Sequence, residues 1–221
     1  MEKGSKETVL IKINEDVIRM MNLVIETLNT AMESFFKIDK TLAEKTIDDD
    51  QAINDLENKI EYDGLACLAL FQPAAIDLRF VVGVLKMITD IERIGDLAVD
   101  IAQAAVKMDN IDEEIIIENL RNIYKHAMEM LQFATDAFIL NDIEKAKKVI
   151  QMDDLLDEMA HTLFKESLIK MCSEGKKIHH LIQYLLVSRH LERVGDHSTN
   201  IAEYTIFIYG GLNVKHHHKI D

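Results

Sequence analysis

The sequence predicts an all-α protein: two tandem three-helix bundles related by an internal repeat. Three observations lead there. Glycine and proline together number nine in 221 residues while 48% are hydrophobic, a composition of long packed elements rather than linkers. Apolar residues recur at three- and four-residue steps through most of the chain, the period of amphipathic helices. The same pattern then restarts about a hundred residues on, which excludes most α/β enzyme folds.

Taken in order, Leu10, Ile13, Val17, Met20, Val24, Leu28, Ala31 and Phe35 form one long stripe and predict a first helix over 7–37. Asp39 is a good N-cap for a second helix over 40–70, with a seam of Ile53, Leu56, Ile60, Gly64 and Cys67. The only proline, Pro73, fits the first turn of a third helix over 74–107. That helix carries Val84, Ile88, Ile91, Gly95, Ala98, Ala102 and Ala105 at heptad spacing. Helices over 112–140, 143–172 and 176–209 repeat the plan.

The repeat can be followed residue by residue. An offset of 103 carries Ile13 to Ile116, Phe35 to Phe138, Asp39 to Asp142, Ala43 to Ala146 and Asp50 to Asp153. By the third helix of each set the offset is 100, so a three-residue shortening is expected near Ser173-Glu174-Gly175, opposite Phe71-Gln72-Pro73. The first repeat is assigned to 1–109 and the second to 110–221. The predicted cores are Val17, Val24, Ile53, Leu56, Ile60, Ile88 and Ile91, with Leu120, Ala127, Leu156, Met159, Leu163 and Leu191 in the second repeat.

A formal charge of −14 argues against a nucleic-acid partner and favours cations. No apolar run approaches the roughly 18 residues of a membrane span and no signal peptide is visible, so direct membrane insertion is not expected. Two cysteines, Cys67 and Cys172, give no disulfide framework and suit a reducing, cytoplasmic setting. His216 to His218 receive no role.

The chemistry concentrates in two stretches one hundred residues apart. Glu92, Asp96 and Asp100 stand at i, i+4 and i+8, and Glu192, Asp196 and Asn200 repeat them, so each set is read as one column of oxygen ligands on a helix. Glu92 and Asp96 follow the seam residues Ile91 and Gly95 by one position, a turn of about 100°, and so flank the core. The small residues Gly95, Ala98 and Ala102 allow a neighbouring helix to come close. The second helix offers Asp50 and Asn54, repeated as Asp153 and Asp157. Stacked carboxylates repel unless a cation or basic group neutralises them, and an all-oxygen set selects hard cations such as Mg²⁺, Ca²⁺, Mn²⁺ or Fe³⁺. A single such pair is commonly a solvated helix face; recurrence at matched positions favours metal. Arg93 and Arg193 either pair with surplus carboxylates or hold a bridging anion. His161, one turn beyond Asp157, is a candidate nitrogen ligand for the second site alone.

The tandem plan, two copies of Glu-Arg-x-Gly-Asp, the paired acidic motifs and the ending Ile201-Ala202-Glu203-Tyr204…Tyr209-Gly210-Gly211 together resemble the PhoU family of phosphate-transport regulatory proteins, from about residue 8 to 215. The resemblance implies acidic motifs that hold multinuclear metal clusters, with iron, Mg, Mn, Ca or Zn as the ions. It also implies a cytosolic homodimer linking the phosphate ABC transporter to a sensor histidine kinase and repressing phosphate-starvation genes when phosphate is ample. Asn54 and Asn200 depart from the family's carboxylates and weaken the case for a full metal count.

Two other readings compete. A ferritin-like di-metal enzyme needs Glu-x-x-His from each of two helices; only Glu158-Met159-Ala160-His161 has that spacing. A purely structural scaffold would leave the acidic columns in solvent. No Ser/His/Asp set, phosphate loop or Cys/His pair suggests other catalysis, so the expected role is non-enzymatic.

Overall fold

Residues 5–111, 114–173 and 178–212 are described by a computed structural model of the chain. All regular structure among them is helical: α1 Lys6–Lys37, α2 Lys40–Asp49, α3 Gln51–Phe71, α4 Ala75–Lys107, α5 Glu114–Leu140, α6 Ile143–Ser173 and α7 Ile178–Gly210. The predicted second helix is divided at Asp50, which caps both α2 and α3. Its carbonyl accepts from Ile53 N at 2.9 Å and from Asn54 N at 3.4 Å, so the bend falls on a residue of the acidic set. The second repeat runs through the same point unbroken as α6. The expected three-residue shortening and His216 to His218 lie outside the described residues.

The repeat holds down to the caps. α1 ends with Ile38 in the left-handed region at φ 54°, and α5 is followed by Asn141 at φ 57°. After α1, Asp39 N donates to Ser34 O at 2.9 Å, and after α5, Asp142 N donates to Ala137 O at 2.8 Å, the 6→1 bond of a Schellman turn. The side chain of Asp39 then accepts from Leu42 N at 3.0 Å and that of Asp142 from Lys145 N at 2.9 Å, as N-caps should. Pro73 departs from expectation. It is buried in the connection between Gln72 and the N-cap Ala74, two residues before the first residue of the helix.

The predicted core residues are buried, with one exception. Met159 is only partly buried against the core, and Ala160 occupies the interior place beside it. One-residue displacement of about 100° on the helix turns Met159 into the α5/α6 groove, next to Leu155 and Glu158.

A second buried stripe was not apparent from spacing. α4 buries Ile94, Leu97, Ile101 and Ala104 as well as its seam, and α7 buries Val194, Ile201 and Ile208. These faces pack α4 against α7, the most extensive helix pairing among the described residues. The two runs antiparallel: Arg79 Nε donates to Ile208 O at 3.4 Å, and His180 Nε2 meets Asp109 Oδ1 at 2.7 Å at the other end. The hydrophobic core is therefore continuous through both repeats.

Candidate metal centres

The Glu-Arg-x-Gly-Asp segments are placed by close helix contact. A Cβ built on Gly95 would stand 2.9 Å from Ile53 Cδ1 and 3.4 Å from Asp50 Oδ1. A Cβ on Gly195 would overlap Leu156 and stand 3.3 Å from Asp153 Oδ1. The missing side chain thus lets the α3 and α6 residues Ile53 and Leu156 seat in the core. It also brings the carboxyls of Asp50 and Asp153 over the backbone of α4 and α7.

In the first half, Asp50, Glu92 and Asp96 share one electrostatic neighbourhood. Burial pushes the Asp50 carboxyl above its ordinary value, Asn54 opposes that by hydrogen bonding, and Asp96 adds to it. Burial also raises Glu92, reinforced by Asp96 and then opposed by Arg93. Most of this charge is answered locally. Asn54 Nδ2 donates to Asp50 Oδ2 at 3.1 Å; Arg93 reaches Asp96 Oδ2 at 2.8 Å and Glu92 Oε2 at 3.6 Å. Arg93 is therefore a counter-ion to the column, one of the two roles its position allowed. Glu57, not foreseen from the sequence, joins the group. Burial raises its carboxyl, and Glu61 adds to that. It follows Asn54 by three residues on α3, so extending the Asp50, Asn54 spacing one more turn would have found it.

The second half is more strongly acidic. Burial pushes the Asp153 carboxyl up to about 6, with Asp196, Asp157, Asp154 and Glu192 adding in that order. Burial raises Asp157 too, followed by Glu192 and Asp196, and it raises Asp196 ahead of Glu192. Asp153 Oδ1 is buried with no hydrogen-bond partner. The arginine that pairs here is Arg189, on Glu192, one turn before the expected Arg193.

Asp100 and Asn200 do not join these groups, which corrects the reading of three-membered columns. Asn200 Nδ2 donates to Asp90 Oδ1 at 2.8 Å, and Asp100 Oδ2 lies 3.7 Å from His190 Nδ1. Both are contacts between α4 and α7. Eight residues on a helix overshoot two turns by about 80°, enough to carry the third member off the acidic face and onto the repeat interface. Glu158 lines the α5/α6 groove and His161 the α6/α7 groove, whereas a ferritin-like site turns both residues of the pair into one bundle centre. Among the described residues, no three His, Cys, Asp or Glu side chains converge on one ligating point. The residues that would hold a cation are adjacent; the donor chemistry and the orphaned Asp153 oxygen fit a hard metal ion.

A raised carboxyl has a signed consequence for stability. Between its unfolded value near 4 and its folded value of about 6, Asp153 holds a proton in the folded chain and not in the unfolded one. Stability therefore falls as pH rises through that window. The side chain is only partly buried, so screening limits the effect to on the order of 1 kcal/mol. Metal-free protein with chelator present should melt at a lower temperature at pH 7 than at pH 5, and Asp153→Asn should flatten that difference.

Among the described residues, no helix is long and apolar enough to cross a membrane. The PhoU domain model matches residues 17–105 and again 120–205. A phosphate-specific transport system accessory protein PhoU homolog from Aquifex aeolicus is 36% identical over 209 residues, covering 95% of each chain. The crystal structure of the phosphate transport system regulatory protein PhoU from Streptococcus pneumoniae superposes with a TM-score of 0.88. It is 31% identical, and the match spans 96% of this chain and 100% of that one. PhoU from Pseudomonas aeruginosa matches with a TM-score of 0.89 at 31% identity, over 93% of this chain and 99% of that one. Two copies of one domain, matched end to end in sequence and in fold, make this chain a member of the PhoU family.

Proposed function

We infer that the chain is a non-enzymatic regulator of phosphate uptake. It acts as a cytosolic homodimer that couples a phosphate ABC transporter to a sensor histidine kinase and represses phosphate-starvation genes when phosphate is ample. The observation that carries this reading is the near-complete match to proteins named as phosphate-transport accessory or regulatory proteins. The acidic balance of −14 suits docking on basic protein surfaces and disfavours nucleic acid.

Within this role the acidic groups are metal sites. Asp50, Asn54, Glu92 and Asp96 would hold the ion of the first half, and Asp153, Asp157, Glu192 and Asp196 that of the second. A bound hard cation, iron included, would supply charge neutralisation and a fixed link between neighbouring helices. The chain's own residues set the difference between halves: Asn54 and Arg93 already answer the first group, while Asp153 presents an unanswered oxygen.

The test is genetic. Deleting the gene should switch on a phosphate-starvation reporter in phosphate-rich medium, and restoring it should silence the reporter. A reporter that stays silent in the deletion strain overturns the regulator reading.

A further inference from the structure

We propose that the outer groove between α6 and α7 is a docking site for an amphipathic helix of a partner protein, one with an apolar stripe ending in a lysine or arginine. The groove encloses about 370 Å³. Ala160 and Ser188 form its floor, Phe164 and Leu185 its walls, and Asp157 and Glu192 close one end. Away from that end it continues as an apolar strip. Leu168 follows Phe164 by one turn on α6 and Ile182 precedes Leu185 by one turn on α7, while Leu186 stands next to Leu185 on the side toward Glu192. Phe164 is 47% exposed, Leu168 42%, Ile182 41% and Leu186 45%. Apolar side chains grouped in this way and left in water mark an interaction surface. Residues spaced by helical turns along two antiparallel helices form the kind of trough that receives a third helix.

At two places the internal repeat shows that the bundle itself does not require an apolar residue, while Leu65, Leu85 and Val82 keep apolar character opposite Leu168, Leu185 and Ile182. By the same offsets, Glu61 stands where the second repeat has Phe164, and Lys86 where it has Leu186. Both are exposed in the same architecture. The first repeat folds with charges at these two places, so packing of the bundle does not require Phe164 and Leu186 to be apolar.

Charge selects the occupant. Asp157 makes no hydrogen bond or ion pair with the described residues, and Glu192 already accepts a guanidinium from Arg189, whose side chain is 62% exposed. In the metal-free chain the end of the groove is therefore suited to a basic head whose aliphatic stem lies along Phe164 and Leu185.

The experiment uses the full chain in chelator, so that the groove is read without metal. A labelled synthetic peptide with leucines at i, i+3, i+4 and i+7 and a Lys-Arg end is titrated by fluorescence anisotropy. A glutamate-ended version and a scrambled version are run beside it. The variant Phe164→Glu with Leu186→Lys transplants the first repeat's charges and should keep the wild-type thermal midpoint. The basic peptide should bind the wild type at least about tenfold more tightly than either control, a difference of about 1.4 kcal/mol, and the double variant should lose that preference. Equal binding of all three peptides, or unchanged binding by the folded variant, overturns the proposal. So does sedimentation showing a wild-type dimer that the variant breaks, since the face would then belong to a second copy.

Discussion

Truncating Ile91 to alanine lowers the free energy of unfolding by about 2–5 kcal/mol, the transfer loss of a buried isoleucine together with the cavity it leaves. Ile91 is 1% exposed and Leu191, its repeat partner, is fully buried, so Leu191→Ala should fall in the same range. Each site lies one residue before its acidic column and opposite the α3 or α6 seam. Relaxation there is limited because α4 and α7 are packed on two faces. For a chain of this length each kcal/mol shifts the thermal midpoint by about 2–4 °C. Urea unfolding followed by circular dichroism measures the loss directly, and a midpoint that did not move in either variant would place the core seam elsewhere.

Replacing Asp153 and Asp196 together by asparagine should strip the second half of its metal while leaving the helical signal intact. Asp196 raises the proton affinity of Asp153 through proximity, and Asp153 carries the orphaned oxygen. Asparagine keeps the shape and removes the charge a hard cation requires. Elemental analysis of the purified protein gives the first readout, and bound metal should drop to what the first half retains. The metal-free variant should also melt higher than metal-free wild type, because like-charge repulsion is relieved. Full metal content in the double variant would remove the acidic groups from consideration as binding sites.

Much of this was accessible from residue spacing because helices write their packing in a short period. The α1 stripe, the Asp39 and Asp142 caps and the flanking position of Glu92 and Asp96 each depend on a few neighbouring residues. What escaped depends on distant ones. The division at Asp50 arises in one repeat only, although both carry aspartate there. Asp100 and Asn200 looked like column members because a strict four-residue step hides the angular drift of a 3.6-residue turn. That drift is small over one turn and decisive over two. Met159 and Ala160 exchanged places for a related reason: both fit an apolar stripe, and only the neighbouring helix decides which enters the interior. The second buried face of α4 was masked by alanine and isoleucine, which satisfy either a broad single stripe or two opposed ones.

The contacts between α4 and α7 carry information about ancestry. Under the repeat, position 90 corresponds to 190 and position 100 to 200. Asp90 pairs with Asn200, and His190 faces Asp100: the first position meets the second, and the second meets the first. Reciprocity of this kind belongs to an isologous interface, the contact that two identical subunits make about a two-fold axis. The present chain thus has the form of a duplicated pair whose halves meet through their last helices as two identical subunits would. Fusion frees each side of such a contact to diverge, and Asp90 accepting from His197 at 2.7 Å, where the other repeat has Leu97, is one such divergence.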